Sequence, residues 1–312
     1  MEINFNGFST RVLIDKEKVS ATDISLSAQE NIIQFEGAYG GEMNLSGSNY
    51  FRMNNSGFYE LPEISCSIGT EITHEQINNL FFNWLEDRGK ARSVLISSGD
   101  YLNKTFNFED CCYFKSLRLG ASQNSLVTAN YEFYVLSDKL FSESLKNNVQ
   151  KLQSEIVFDM SSKDKKPIGF WETKIDGFEK NRQVIDWNLT FNQNIIPKYY
   201  CGRIDDNEVI KPPLPDIMIG YPKMELSVNF LMDKQEFDKE IFSNFSDNKK
   251  IVYPYETEDE KNSSENQLSL YIRDKEVCRF LYGKTISYSP SISSGSGIIF
   301  NVNYLIHQIY LI

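Results

Sequence analysis

Histidine is almost missing from this chain of 312 residues, which carries only His74 and His307. Such scarcity leaves little material for a His-rich zinc site or for imidazole-driven hydrolysis. His74 falls in the first turn of an expected helix and His307 at the end of the final strand, where ordinary structural roles suffice. Cysteine is sparse too: five residues without a CxxC pair fit a reducing compartment and exclude a disulfide framework. Cys111 and Cys112 look like a redox pair, but Cys112 sits in an alternating strand pattern where cysteine is a small core residue. No cofactor, no metal and no catalytic residue is expected. No stretch is apolar for long enough to span a bilayer. The opening "MEINFNGFSTRVLIDKEK" lacks a basic segment followed by an apolar one, so residence in a cytoplasm is expected. Basic residues number 32 against 43 acidic ones, a formal charge of −11, which opposes broad capture of nucleic acid. With 17 Gly and 9 Pro the chain is neither fibrous nor low in complexity, and 41% hydrophobic residues supply a real core.

What the chain does contain is an echo. "DISLSAQENIIQFEGAYG" from Asp23 resembles "DWNLTFNQNIIPKYYCGR" from Asp186. Ile24, Leu26 and Ala28 alternate with polar residues, as do Trp187, Leu189 and Phe191, the period of a strand with one buried face. Upstream, "GFSTRVLID" at residues 7–15 matches "GFWETKIDG" at residues 169–177. Downstream, a turn-rich insert at 36–58 corresponds to one at 199–220, each reading as a long β-hairpin or loop. Ile64, Cys66 and Ile68 then correspond to Met224, Leu226 and Val228, with Pro62 and Pro222 at the expected strand starts.

The period next changes in both copies. Thr73 with Gln76 and Asp233 with Glu236 form capping-box patterns, in which side chains satisfy the unpaired donors of a helix start. Ile77, Phe81 and Leu85, and then Phe237, Ile241 and Phe245, give the i, i+4, i+8 stripe of an amphipathic helix. The last strands alternate through Val127, Ala129, Tyr131, Phe133 and Val135, and through Ile298, Phe300, Val302, Tyr304 and Ile306. Alignment sets Cys112 against Cys278. "SGSG" at Ser294–Gly297 lies between two strands, so it reads as a hairpin turn rather than a phosphate loop. The acidic run Glu256–Glu260 matches no calcium loop and reads as solvated surface.

Between the copies, Leu145, Val149, Leu152 and Ile156 give a helical stripe, followed by "MSSKDKKP" as a hinge. The fold class expected is mainly β with flanking helices. Two tandem domains, residues 1–138 and 167–312, are joined by a helical linker at 139–166 and carry separate cores.

This order of elements resembles the tail-tube fold of bacteriophage tail tubes, contractile injection-system tubes and baseplate hub proteins. The resemblance spans nearly the whole chain, through the loops after Ile33 and Ile196 and the helices at Thr73 and Asp233. It implies a β-sandwich or barrel with a flanking helix, whose long hairpin joins neighbouring subunits or rings. It also implies a homotrimer with a pseudo-six-fold ring, tail, baseplate or tape-measure partners, and a place in a virion tail assembled in the bacterial cytoplasm. DNA would pass an acidic channel without specific binding. Two other readings stay open: a duplicated β-sandwich receptor-binding or adhesin module, and an enzyme with an unrecognised site.

Overall fold

Period-two alternation becomes antiparallel strand almost everywhere in the computed structural model. It describes residues 2–6, 10–15, 17–29, 32–33, 58–59, 63–82, 87–98, 105–137, 166–177, 183–198, 216–232, 267–293 and 297–312. The strands of the first half are β1 (Glu2–Asn6), β2 (Thr10–Ile14), β3 (Glu17–Val19), β4 (Ala21–Gln29), β5 (Ile32–Ile33), β6 (Phe58–Tyr59), β7 (Glu63–Glu71), β8 (Arg92–Ser98), β9 (Thr105–Ser122) and β10 (Thr128–Val135). Those of the second half are β11 (Thr173–Asp176), β12 (Gln183–Lys198), β13 (Asp216–Met232), β14 (Gln267–Ile272), β15 (Lys275–Ser293) and β16 (Gly297–Leu311).

All but β5 and β6 belong to one 14-stranded sheet. Within the first half the neighbours run β4, β7, β10, β9, β8, β2, and within the second β12, β13, β16, β15, β14, β11. The sheet does not stop between the halves, because β9 pairs with β12 from Ser122 opposite Asp186 to Ser116 opposite Asn192. Nearly all of the buried apolar residues among those described likewise form one contiguous cluster, including Ile24, Phe106, Tyr131, Trp187, Phe230, Phe280 and Phe300, with Leu95 apart from it. The expectation of separate cores therefore fails: long-range strand pairing joins stretches that sequence periodicity treats one at a time.

Alternation sorts the sheet's two sides as expected. Ile24, Leu26, Ile64, Cys66 and Ile68 are buried, as are Trp187, Leu189, Phe191, Leu226 and Val228. The stems of both inserts are paired hairpins: Ile32 and Ile33 face Tyr59 and Phe58, and residues 195–198 face 219–216. Their tips lie outside the described residues. Pro222 is not at a strand start but inside β13, opposite Gln193 and beside a register shift between Gln193 and Ile195. That irregularity, beyond the stretch where β16 pairs with β13, accommodates a residue without an N–H. The β15–β16 hairpin closes with Ser293 opposite Gly297, as the SGSG turn requires. Arg273 and Asp274, both at positive φ, form the two-residue β14–β15 turn, whose twist matches its strands.

The capping box at Thr73 is present: its N–H donates to Gln76 Oε1 at 3.1 Å, and Gln76 N–H donates to Thr73 Oγ1 at 3.3 Å. The helix it starts changes form after one turn, while the Phe81 side chain and Leu85 of the expected stripe lie outside the described residues. After α1 (His74–Gln76), residues Ile77–Phe82 adopt a π-helical turn, burying Ile77 and Leu80. The second expected helix and the linker stripe lie outside the described residues. The hinge's last residue, Pro167, is anchored, bridging to Thr73. Beside it Ile72, Val127 and Ile168 exchange three backbone hydrogen bonds, stitching the start of the second half onto the first. Among the described residues no helix is long and apolar enough to cross a membrane.

Candidate functional site

The residues with intrinsic chemistry are dispersed. His74 is half-buried in α1, and His307 is exposed within β16, which continues four residues past it to Leu311. Cys66, Cys112 and Cys278 are buried and Cys111 is half-buried. Burial pushes the Cys66 thiol up to about 12. Burial, then the hydrogen bond it donates to Cys111, raises Cys112, while that bond lowers Cys111. A raised pKa leaves a thiol protonated and unreactive. No group of three His, Cys, Asp or Glu side chains among the described residues is placed to hold a metal ion. Glu256–Glu260 lie outside the described residues. The alignment of Cys112 with Cys278 is corrected by register. Cys112 lies opposite Val135, whereas Ile306, the counterpart of Val135, lies opposite Tyr282.

What the strands bring together is a polar face and an edge on which no described strand pairs. Opposite the core, Ser and Asn side chains run across the strands as hydrogen-bonded rungs. Ser27 and Ser65 are 2.6 Å apart, and Ser67 donates to Asn130 at 3.0 Å. In the second half Asn301 donates to Asn229 at 2.6 Å and to Ser227 at 3.0 Å, Asn303 donates to Asn301 at 3.1 Å, and Asn229 donates to Asp186 at 3.4 Å. Glu132 pairs with Lys115 at 3.0 Å, and Glu225 pairs with Lys223. Burial opposes ionisation of Glu132, but the bonds from Lys115 and Ser116 outweigh it and lower its pKa. The result is a broad, hydrophilic sheet surface spanning both halves.

The edge is defined by comparing β9 with β15. One side of β9 is filled twice in succession: β8 pairs with residues 105–112 and β12 with residues 116–122. On β15, β14 pairs with residues 275–281, and beyond Leu281 no described strand follows it. With the halves aligned by their last strands as in the sequence, Ala129 faces Leu119 and Phe300 faces Pro290. In that alignment residues 287–293 of β15 fall at the place of residues 116–122 of β9. Sequence reading missed both the junction and this edge. The available signal was "SYSPSIS" at 287–293, a serine-alternating strand with a proline that suits an edge.

Gly120 marks how closely the junction is packed. A Cβ there would lie 2.9 Å from the Trp187 carbonyl oxygen and 3.3 Å from the Asn188 Cα, so the β12 backbone leaves no room for a side chain at this glycine. Trp187, buried beside it, donates from Nε1 to Thr173 Oγ1 at 3.0 Å. Gln193 Nε2 donates to the Arg88 carbonyl at 3.2 Å, and Arg273 pairs with Glu172 at 2.9 Å.

The chain matches no protein-family model, and no curated protein is significantly similar to it.

Proposed function

We propose that this protein is a non-enzymatic structural subunit of a phage tail or related injection machine. Three chains close a pseudo-six-fold ring of the tail tube or baseplate hub around a channel. On this reading residues 1–138 and 167–312 are two copies of one tube-like sandwich or barrel unit, with 139–166 as a helical linker. Support for the repetition comes from the identical neighbour order of six strands in each half, beyond the matched alternation that first suggested it.

The observation that carries the proposal is the stretch 287–293 of β15, which no described strand pairs and which on this reading is equivalent to the stretch of β9 that holds β12. A joint used once within the chain, with no described strand at the corresponding place, is on this reading a head-to-tail joint, and head-to-tail joints that close make rings. Three chains then provide six similar joints and one continuous inner sheet. The Ser and Asn face suits the lumen of such a ring, because it is hydrophilic and its lysines Lys115 and Lys223 are paired with Glu132 and Glu225, which weakens any attraction for passing DNA.

Cryo-electron microscopy of the intact particle tests this. The expected result is three copies on the central axis with the polar face inward, contacting neighbouring tail, baseplate or tape-measure proteins. A chain found as a peripheral spike away from the axis overturns the ring and favours the receptor-binding module.

A further inference from the structure

We propose that β1 is a removable plug, occupying on β4 the edge that residues 287–293 of a second copy of this chain take when the ring closes. The inference rests on the ring reading and adds a conformational step to it. At the internal junction, β9 lies antiparallel on residues 186–192 of β12. The corresponding stretch of β4 begins at Asp23, and β1 lies antiparallel on it, with Asn6 opposite Asp23 and Glu2 opposite Ser27. β7 holds the other side of β4, just as β13 holds the other side of β12. β1 therefore sits on the same edge, at the same register and in the same direction as a strand that elsewhere joins two repeats.

Transferring the internal register to a neighbouring copy sets Ser293 opposite Asp23, Ile292 opposite Ile24, Tyr288 opposite Ala28 and Ser287 opposite Gln29. Inside the chain Ala121 faces Trp187 and Leu117 faces Phe191; across chains the Ile292–Ile24 pair matches the first of these in bulk, and the Tyr288–Ala28 pair is smaller than the second. β1 engages Asp23–Ser27, whereas the incoming strand reaches Gln29, so the exchange extends the ladder.

Pro290 limits the exchange. Gln123 N–H donates to the Ile185 carbonyl at 2.9 Å, and antiparallel alternation then makes Leu119 and Leu189 a hydrogen-bonded pair. Pro290, in the place of Leu119, has no N–H to give to Leu26. A proline on one edge and a covering strand on the other are both devices that stop sheets from joining indiscriminately.

The test uses the full-length chain at matched concentration, with mass measured by light scattering after size exclusion. Deleting residues 2–6, or the milder Phe5→Ser, should shift the mass from one chain towards three. Asn4→Cys with Ser25→Cys, oxidised, should lock β1 in place and hold the mass at one chain, and reduction should release it. Ser25→Cys with Ser291→Cys in the Phe5→Ser background should form a disulfide between chains, located by mass spectrometry. Circular dichroism checks folding; should the deletion unfold the chain, Phe5→Ser and the lock decide. If the locked chain closes rings as readily as the reduced one, the plug is overturned and the ring stands. If folded Phe5→Ser chains stay single and no 25–291 disulfide forms, the β15–β4 joint is overturned along with the plug.

Discussion

Trp187 is the most informative single side chain to remove, because it lies at the β9–β12 junction and is 1% exposed. Trp187→Ala deletes a large buried ring and leaves a cavity against Ala121, a loss of about 3–5 kcal/mol for aromatic-to-alanine changes in cores. It also frees Thr173 Oγ1 from the Nε1 hydrogen bond at 3.0 Å, worth roughly 1 kcal/mol. Trp171 is the internal control: it is 72% exposed, and Trp171→Ala should change stability by no more than about 0.5 kcal/mol. With a urea dependence of about 3 kcal/mol per molar for a chain of this size, Trp187→Ala should lower the midpoint by roughly 1–2 M. Far-ultraviolet circular dichroism is the assay, since fluorescence would lose its reporter. Trp187→Phe should recover most of the loss, keeping apolar bulk without the donor. Equal midpoints for Trp187→Ala and Trp171→Ala would refute the claim that the junction is part of the core.

Gly120→Ala should destabilise by about 1–3 kcal/mol, since its Cβ meets backbone on β12, whereas Gly69→Ala, whose Cβ would lie 3.4 Å from Thr22 Oγ1, should be far milder; equal urea midpoints would contradict this. In a Cys201→Ser background, iodoacetamide should label Cys111 well before Cys66, Cys112 or Cys278, and rapid labelling of Cys112 in the folded chain, read by mass spectrometry, would contradict the burial of its thiol. Burial raises the pKa of Asp186, so its stabilising contribution is complete below the unfolded value and lost as pH rises through the folded one. Asp186→Asn should therefore flatten the fall in stability across that acidic window and exceed the wild type near neutrality; urea midpoints across pH that track the wild type would contradict it.

Strand positions were legible because burying one face writes a period of two, so Ile24, Trp187, Leu226 and Phe300 could be placed from sequence. The SGSG turn and the Thr73 capping box were legible because local hydrogen bonding dictates their residue types. Register over distance was not. The Cys112 and Cys278 alignment slipped because β15 has register shifts between Leu281 and Tyr282, Tyr282 and Lys284, and Thr285 and Ser287, and each bulge adds a residue without changing the pattern's appearance. The β9–β12 junction was invisible for a related reason: Leu119 alternates with polar neighbours whatever strand lies beside it. The π-helical turn at Ile77–Phe82 also escaped, since its buried Ile77 and Leu80 satisfy an α-helical stripe equally well.

On the proposed reading, a chain with two copies of a unit and one joint between them has two unmatched ends, and the two ends are treated differently. At β4 the end is covered by β1; at β15 it is left without a described partner and carries Pro290. On the ring reading this asymmetry sets the energetics of assembly. Replacing β1 by an incoming strand exchanges one set of ladder bonds for another, each worth a net of about 0.5–1.5 kcal/mol, so a single joint between two chains gains little. The first two joints are therefore weak and reversible. The third forms between strands already held in one complex, at a high effective concentration and without a further loss of translational freedom. Closed trimers should dominate over open dimers for that reason, and an edge that is nearly neutral one joint at a time resists uncontrolled polymerisation until geometry allows closure.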